Sequence, residues 1–151
     1  MTVTLHEVTR DNFYAVGELD LLPEQRGLVA SNLYSLAEWK FRPDACPRAV
    51  YSDGQLAGFL MYAQDEEAPG DIEIFRLMVD WRYQRRGIGR EALRLALAEI
   101  RCLPGAERVL ICYRPDNAVA RRLYAGFGFV ETGMDGQGEM VAVLATRNPL
   151  R

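Results

Sequence analysis

Apolar and polar residues alternate from Val3 to Val8 (VTLHEV), the period-two pattern of a half-buried strand. Thr9 or Asp11 can cap a short helix reaching Leu19. Leu28, Val29, Leu33, Leu36 and Trp39 then recur at three- and four-residue spacing. Pro23 to Trp39 is therefore predicted as an amphipathic helix, with room for an interruption. In RAVYSDGQLAGFLMYAQ two apolar runs flank Asp53-Gly54, a dipeptide that tolerates positive φ, which predicts a hairpin.

EEAPGD reads as a loop and IEIFRLMVD as a long strand. From Gly87 to Arg101 the apolar positions Ile88, Ala92, Leu93, Leu95, Ala96 and Ile100 have helical spacing. RVLICY reads as a buried strand, and Asp116 or Asn117 can cap a helix to about Ala125. Phe129–Thr132 and Met140–Ala145 close the chain as strands around Gly136 and Gly138. The order β-α-α-β-β-β-α-β-α-β-β predicts an α/β (α+β) fold, a mixed sheet with helices on both faces. No repeat or linker divides residues 1–151, so one domain is expected.

Composition narrows the classes. Apolar residues make up 49% and charged residues 26%, as in an ordinary globular chain. Met1–Arg10 lacks the apolar core of a secretory signal, and no run approaches ~18 apolar residues, so no membrane association is expected. Cys46, Cys102 and Cys112 have no C-x-x-C spacing, and His6 is the single histidine. Neither a metal site nor a Cys–His nucleophile is supplied; reduced core thiols and a cytoplasmic location are expected. A net charge of -3 and pI of about 5.3 argue against a nucleic-acid partner.

Against that acidic background, RYQRRGIGREA places Arg82, Arg85, Arg86 and Arg90 around Gly87 and Gly89 where a strand runs into a helix. Glycine permits a sharp turn and close approach of a ligand. The unpaired N–H groups and dipole of a helix start attract anions. Guanidinium forks suit phosphate oxygens. Something polyphosphorylated is expected on this turn. One rival is a solvated helix start with surface arginines. Another is a dinucleotide fold, since Gly87-x-Gly89-x-x-Ala92 fits G-x-G-x-x-G/A and Glu107 lies near the expected ribose offset. That fold, however, would place the turn in its first β-α-β unit.

LMVDWRYQRRGIGREAL resembles the acetyl-CoA-binding core of the GNAT N-acetyltransferase superfamily, and NAVARRLYAGFGF resembles that family's N-x-x-A-x-x-L-Y-x-x-x-G-F. The resemblance implies a mixed, mostly antiparallel sheet of about six or seven strands with about four helices. It also implies coenzyme contacts from the backbone of Met78 and Val79 and from Gln84, Arg85, Arg86, Gly87, Ile88, Gly89, Arg90 and Asn117. Asn117 is equally readable as a plain helix cap. Tyr124 falls where the family carries the acid that protonates the departing thiolate, and could otherwise be a core aromatic. Direct attack by an amine is implied, without a covalent enzyme intermediate.

Glu73, within IEIF, is the candidate base, although a solvent-facing strand glutamate would look the same. The polyamine acetylases often place an acid where this chain has Phe75. LLPEQRGLVASNLYSLAEW resembles the helical pair of bacterial spermidine/spermine and diamine acetyltransferases, with Gln25, Ser31, Ser35 and Glu38 in similar register. A polycation needs carboxylates; Glu24, Glu38, Asp44, Asp65, Glu66, Glu67 and Glu139 are the candidates, Glu38 and Glu139 first among them. A polyamine acceptor and a homodimer are the resulting expectations. A protein, peptide or other amine substrate, or a non-catalytic coenzyme-binding domain, are the alternatives.

Overall fold

The computed structural model describes residues 1–147. The elements are β1 (Val3–Glu7), α1 (Phe13–Glu18), α2 (Asn32–Phe41), β2 (Cys46–Ser52), β3 (Gln55–Gln64), β4 (Asp71–Val79), α3 (Ile88–Arg101), β5 (Arg108–Tyr113), α4 (Ala118–Gly126), β6 (Val130–Met134) and β7 (Met140–Ala145). They form one sheet of seven strands, ordered β1-β2-β3-β4-β5-β7-β6. β4 and β5 are parallel and the other neighbours antiparallel. This is the expected mixed, mostly antiparallel sheet. Among the described residues no helix is long and apolar enough to cross a membrane.

Each face of the sheet has its own core. On one, Leu60, Ile72, Ile74 and Ile111 pack with Leu93, Leu97 and Ile100 of α3 and Tyr124 of α4. On the other, Ala49, Phe59, Met61 and Met78 pack with Val16 of α1, flanked by Leu36 and Trp39 of α2. The α3 stripe at Ile88, Ala92, Leu93, Ala96, Leu97 and Ile100 is buried, as its 3.6-residue period requires. Asp53 and Gly54 have φ of 50° and 80°, the positive-φ pair of a two-residue hairpin turn.

The long helix expected from Pro23 to Trp39 is broken. Pro23–Gln25 form one 3-10 turn, Gly27 takes φ of 95°, and α2 begins only after Ser31, whose hydroxyl accepts from Tyr34 N–H at 3.1 Å. Left-handed geometry at Gly27 cannot continue a right-handed helix. Neither Thr9 nor Asp11 caps α1. The N-cap is Asn12, and its side chain instead accepts from Thr9 N–H (2.7 Å) and donates to the Glu7 carbonyl (3.0 Å).

Candidate active site

The sheet opens between β4 and β5. Their pairing covers only Asp71–Ile74 with Arg108–Ile111. Arg108 clamps Asp71 at that closed end through two bonds of 2.9 and 2.7 Å. Beyond Ile74 the β3 register skips Phe75: Met61 faces Arg76 while Tyr62 faces Ile74. This bulge bends β4 and resets its alternation. Ile72, Ile74, Leu77 and Val79 then face α3, whereas Phe75 and Met78 lie in the α1/α2 core and Arg76 reaches α2.

Parity decides which amides reach the gap. Asp80 N–H donates to the Ala57 carbonyl at 2.8 Å, and the register continues Phe59–Met78, Leu60–Leu77. Hydrogen-bonded and non-bonded pairs alternate in an antiparallel ladder. Met78 therefore turns its N–H toward β3, while Leu77 and Val79 turn theirs toward the gap. Of the two residues expected to meet the coenzyme, Val79 turns its N–H to the gap and Met78 turns it to β3, while Leu77 faces the gap beside Val79. Sequence alone shows the Leu-x-Val spacing but not which member faces outward.

The turn after β4 is built to present donors. Arg85 and Gly87 have φ of 64° and 82°, with Gly87 the N-cap of α3. Such left-handed steps draw successive N–H groups into a concave nest that favours anions. A non-glycine residue there is strained, the kind of strain that clusters at ligand clamps. No backbone N–H from Gln84 to Arg90 donates to another described residue. Gly89 sits where a Cβ would be 3.5 Å from the Val79 side chain. These donors fit a diphosphate: several unpaired N–H groups and a helix dipole occur together at one turn.

The side chains of the turn divide their roles. Arg82 is spent on Asp80 at 2.8 Å, while Arg85, Arg86 and Arg90 stay exposed without an acidic partner among the described residues. Arg86 and Arg90 lie over the rings of Tyr83 and Phe127 at 5.5 and 5.4 Å. Gln84 turns its side chain away, onto Gln25 and the Val79 carbonyl. Its backbone is what the turn offers an anion. Asn117 is a cap, accepting from Ala120 N–H at 3.1 Å.

Tyr124 lies on the α4 side of the opening, its ring beside Tyr113 (5.4 Å) and Phe129 (5.9 Å). Tyr113 is itself fixed by donating to Glu131 at 2.6 Å, a carboxylate that Arg121 also holds at 2.7 Å. The Tyr124 ring is buried, and burial pushes its hydroxyl above the usual phenol range, with Tyr113 adding to the shift. Among the described residues the Tyr124 hydroxyl has no hydrogen-bond partner, and it is not a fully buried, unpaired oxygen.

Glu73 is half-buried on the α1/α2 face, opposite Ala63. Burial raises its pKa; Arg42 and Arg76 oppose that, and Asp65 and Glu139 reinforce it. Cys112, on the adjoining strand, is pushed up to about 11 by burial and by Glu73, Asp135 and Glu139. Glu73 and Glu139 thus feel one another's charge, and Asp65 and Asp135 add to the same acidic field. Glu38 is on the same face but already engaged, pairing with Arg76 at 3.6 Å. The guanidiniums of Arg76 and Arg42 lie on the Phe75 ring at 5.0 and 5.3 Å. No metal-binding cluster of His, Cys, Asp and Glu occurs among the described residues.

Residues 5–129 match the model of the Acetyltransferase (GNAT) family. The chain belongs to that family. It is an acetyltransferase, and acetyl-CoA is the acetyl donor that GNAT enzymes use. It is 30% identical over 149 residues to the spermine/spermidine N(1)-acetyltransferase of Bacillus subtilis (strain 168), covering 95% of this chain and 98% of the relative. Its fold is shared with an aminoglycoside acetyltransferase in complex with coenzyme A, at TM-score 0.80, 18% identity and 95% coverage of both chains. A spermidine N-acetyltransferase from Vibrio cholerae, solved with CoA and spermine, matches at TM-score 0.75 and 17% identity, again over 95% of each chain.

Proposed function

We propose that this GNAT acetyltransferase acetylates a primary amine of a polyamine or diamine, using the β4–β5 opening for acetyl-CoA and the acidic α1/α2 face for the cation. The observation that carries the acceptor is the acidic field on this face, where Asp65 and Glu139 act on Glu73, and Asp135 with the two glutamates acts on Cys112. The similarity to the Bacillus spermine/spermidine enzyme supports the same class. For the coenzyme, the free N–H groups from Gln84 to Arg90 would hold the diphosphate, with Arg85, Arg86 and Arg90 supplying charge. Bound acetyl-CoA supplies an activated acyl carbon and a sulfur leaving group. Leu77 and Val79 would offer N–H groups that polarise the acyl carbonyl from the open strand edge.

Two proton problems fall to side chains. An alkylammonium with a pKa of ~10.4 needs roughly 4–5 kcal/mol to lose its proton at pH 7. Glu73 would accept that proton, directly or through water, and its raised pKa makes it a better acceptor than a solvated carboxylate. Tyr124 stays protonated throughout the working pH range because burial holds its pKa high. Its hydroxyl would donate to the sulfur. Cys112, pushed up to about 11, is too weakly ionised at neutral pH to act as a nucleophile, which favours direct attack by the amine.

One observation favours a second reading. Arg42 and Arg76 beside Phe75 put positive charge on the same face, and Arg42 meets its acid, Asp44, only at 4.0 Å. That charge would suit an amine carrying a carboxylate, such as a peptide. Free-thiol release from acetyl-CoA, measured with spermidine, spermine, a diamine, lysine, an aminoglycoside and a peptide amine, separates the two. Fastest turnover is expected with the polyamines. Preference for the peptide would transfer the assignment, and no acceleration above hydrolysis by any amine would defeat it.

A further inference from the structure

We propose that Gln84 and Gln25 are positioning residues, an amide pair that links the coenzyme turn to the loop walling the acceptor side. Gln84 Nε2 donates to Gln25 Oε1 at 2.8 Å and to the Val79 carbonyl at 3.0 Å. Gln25 Nε2 donates back to Gln84 Oε1 at 3.0 Å, and Gln25 Oε1 also accepts from Leu22 N–H at 3.1 Å. One side-chain pair thereby joins three parts: the strand end that carries the Val79 amide, the first residue of the anion turn, and residues 19–31.

That loop needs holding from outside. Between α1 and α2 its regular structure is a single 3-10 turn, Pro23–Gln25. It nevertheless walls a cavity of about 250 Å³ over Met78 of β4, lined on the loop side by Leu19, Asp20, Val29 and Ser31. A second strap runs beside the amide pair. The buried Asp80 carboxylate accepts from Asp20 N–H and from Arg82 N–H, both at 3.0 Å, while Trp81 N–H donates to the Asp20 carbonyl at 2.9 Å. Burial works to raise the Asp80 pKa, but the bonds from Arg82 and from the Asp20 N–H outweigh it and hold the carboxyl below the usual range. Asp80 is a fixed anchor. The Gln pair is the neutral contact whose geometry follows the turn.

The coupling rests on the reading that the coenzyme diphosphate occupies the amides of Gln84–Arg90. A ligand there restrains Gln84, whose side chain uses both of its amide hydrogens on Gln25 and Val79. Restraint of Gln84 then restrains the acceptor wall, whose local opening amide exchange reads. Gln25 is the informative residue because it belongs to the loop and not to the turn.

Amide hydrogen exchange with and without CoA tests the coupling and requires no amine substrate. In the wild type, CoA is expected to slow exchange at residues 84–90 and, by about tenfold, at Leu22 and at Gln25 through Leu28. In Gln25→Ala, slowing at 84–90 persists and the gain in the loop disappears. Gln25→Glu keeps an acceptor for both Leu22 N–H and Gln84 Nε2 and restores most of that gain, which a merely structural loss would not allow. The proposal is overturned if the loop gains protection equally in Gln25→Ala, or gains none in the wild type while 84–90 does. CoA that binds without slowing 84–90 removes the turn assignment and the coupling together.

Discussion

Replacing Gly87 by alanine separates the conformation of the anion turn from its composition. Gly87 has φ of 82°, and an added Cβ would meet nothing closer than the Met1 methyl at 3.9 Å. The methyl therefore costs nothing in packing. Its cost is the left-handed backbone, about 1–2 kcal/mol for an L-residue. For a domain of this size that corresponds to a melting temperature lower by roughly 2–8 °C. Rotation that relieves the strain also redirects the neighbouring N–H groups. Loss of one charge-assisted bond is expected to weaken CoA binding about tenfold. Gly89→Ala is the matched control: its Cβ would make ordinary contact, 3.5 Å from Val79 Cγ2, in the first turn of α3. Alanine exceeds glycine in a helix by up to ~1 kcal/mol, so that variant should melt at or above the wild type. Circular-dichroism melts with and without CoA, and calorimetric titration, read both effects. Gly87→Ala indistinguishable from wild type, or Gly89→Ala equally damaged, would refute the reasoning.

Other consequences concern the chemistry. Tyr124→Phe should lower kcat about 10²-fold or more while leaving the melting temperature nearly unchanged, because the hydroxyl bonds to no other described residue; undiminished thiol release at saturating amine would dismiss the donor role. Glu73→Gln should slow turnover and abolish an acidic limb in kcat/KM lying above the ordinary glutamate range. The raised folded pKa means that Glu73 favours the folded state at low pH and loses that contribution as pH rises through it. Glu73→Gln should accordingly match the wild type in acid and exceed it in stability at neutral pH, and the reverse order in pH-dependent melts would contradict this. Alkylation at pH 7 should reach the exposed Cys102 before Cys112; Cys112→Ala that loses turnover would revive a thiol intermediate.

The strand–helix turn was legible as a candidate anion site because glycine and arginine coincide there, where few other requirements produce that combination. The hairpin at Asp53-Gly54 and the buried stripe of α3 were equally local. What escaped the sequence depends on partners far along the chain. That Leu77 rather than Met78 turns its N–H to the gap follows from a register set by β3 and a bulge at Phe75. Glu38 reads as a free carboxylate until Arg76 is placed against it. Asp80 follows the strand motif without a visible role, yet it ties the two loops through Asp20. Gln25 carried only a looser likeness to polyamine enzymes, and its partner Gln84 is supplied by the fold. For Asn117 the cap is the bond the structure shows.

The most direct test of the account is the ¹⁵N–¹H spectrum of the protein titrated with CoA. Amide protons from Gln84 to Arg90 should move downfield on saturation, as donors do on meeting an anion, with those in the interior of α3 nearly still. CoA that binds while those resonances remain in place would contradict the claim that these backbone donors hold the coenzyme.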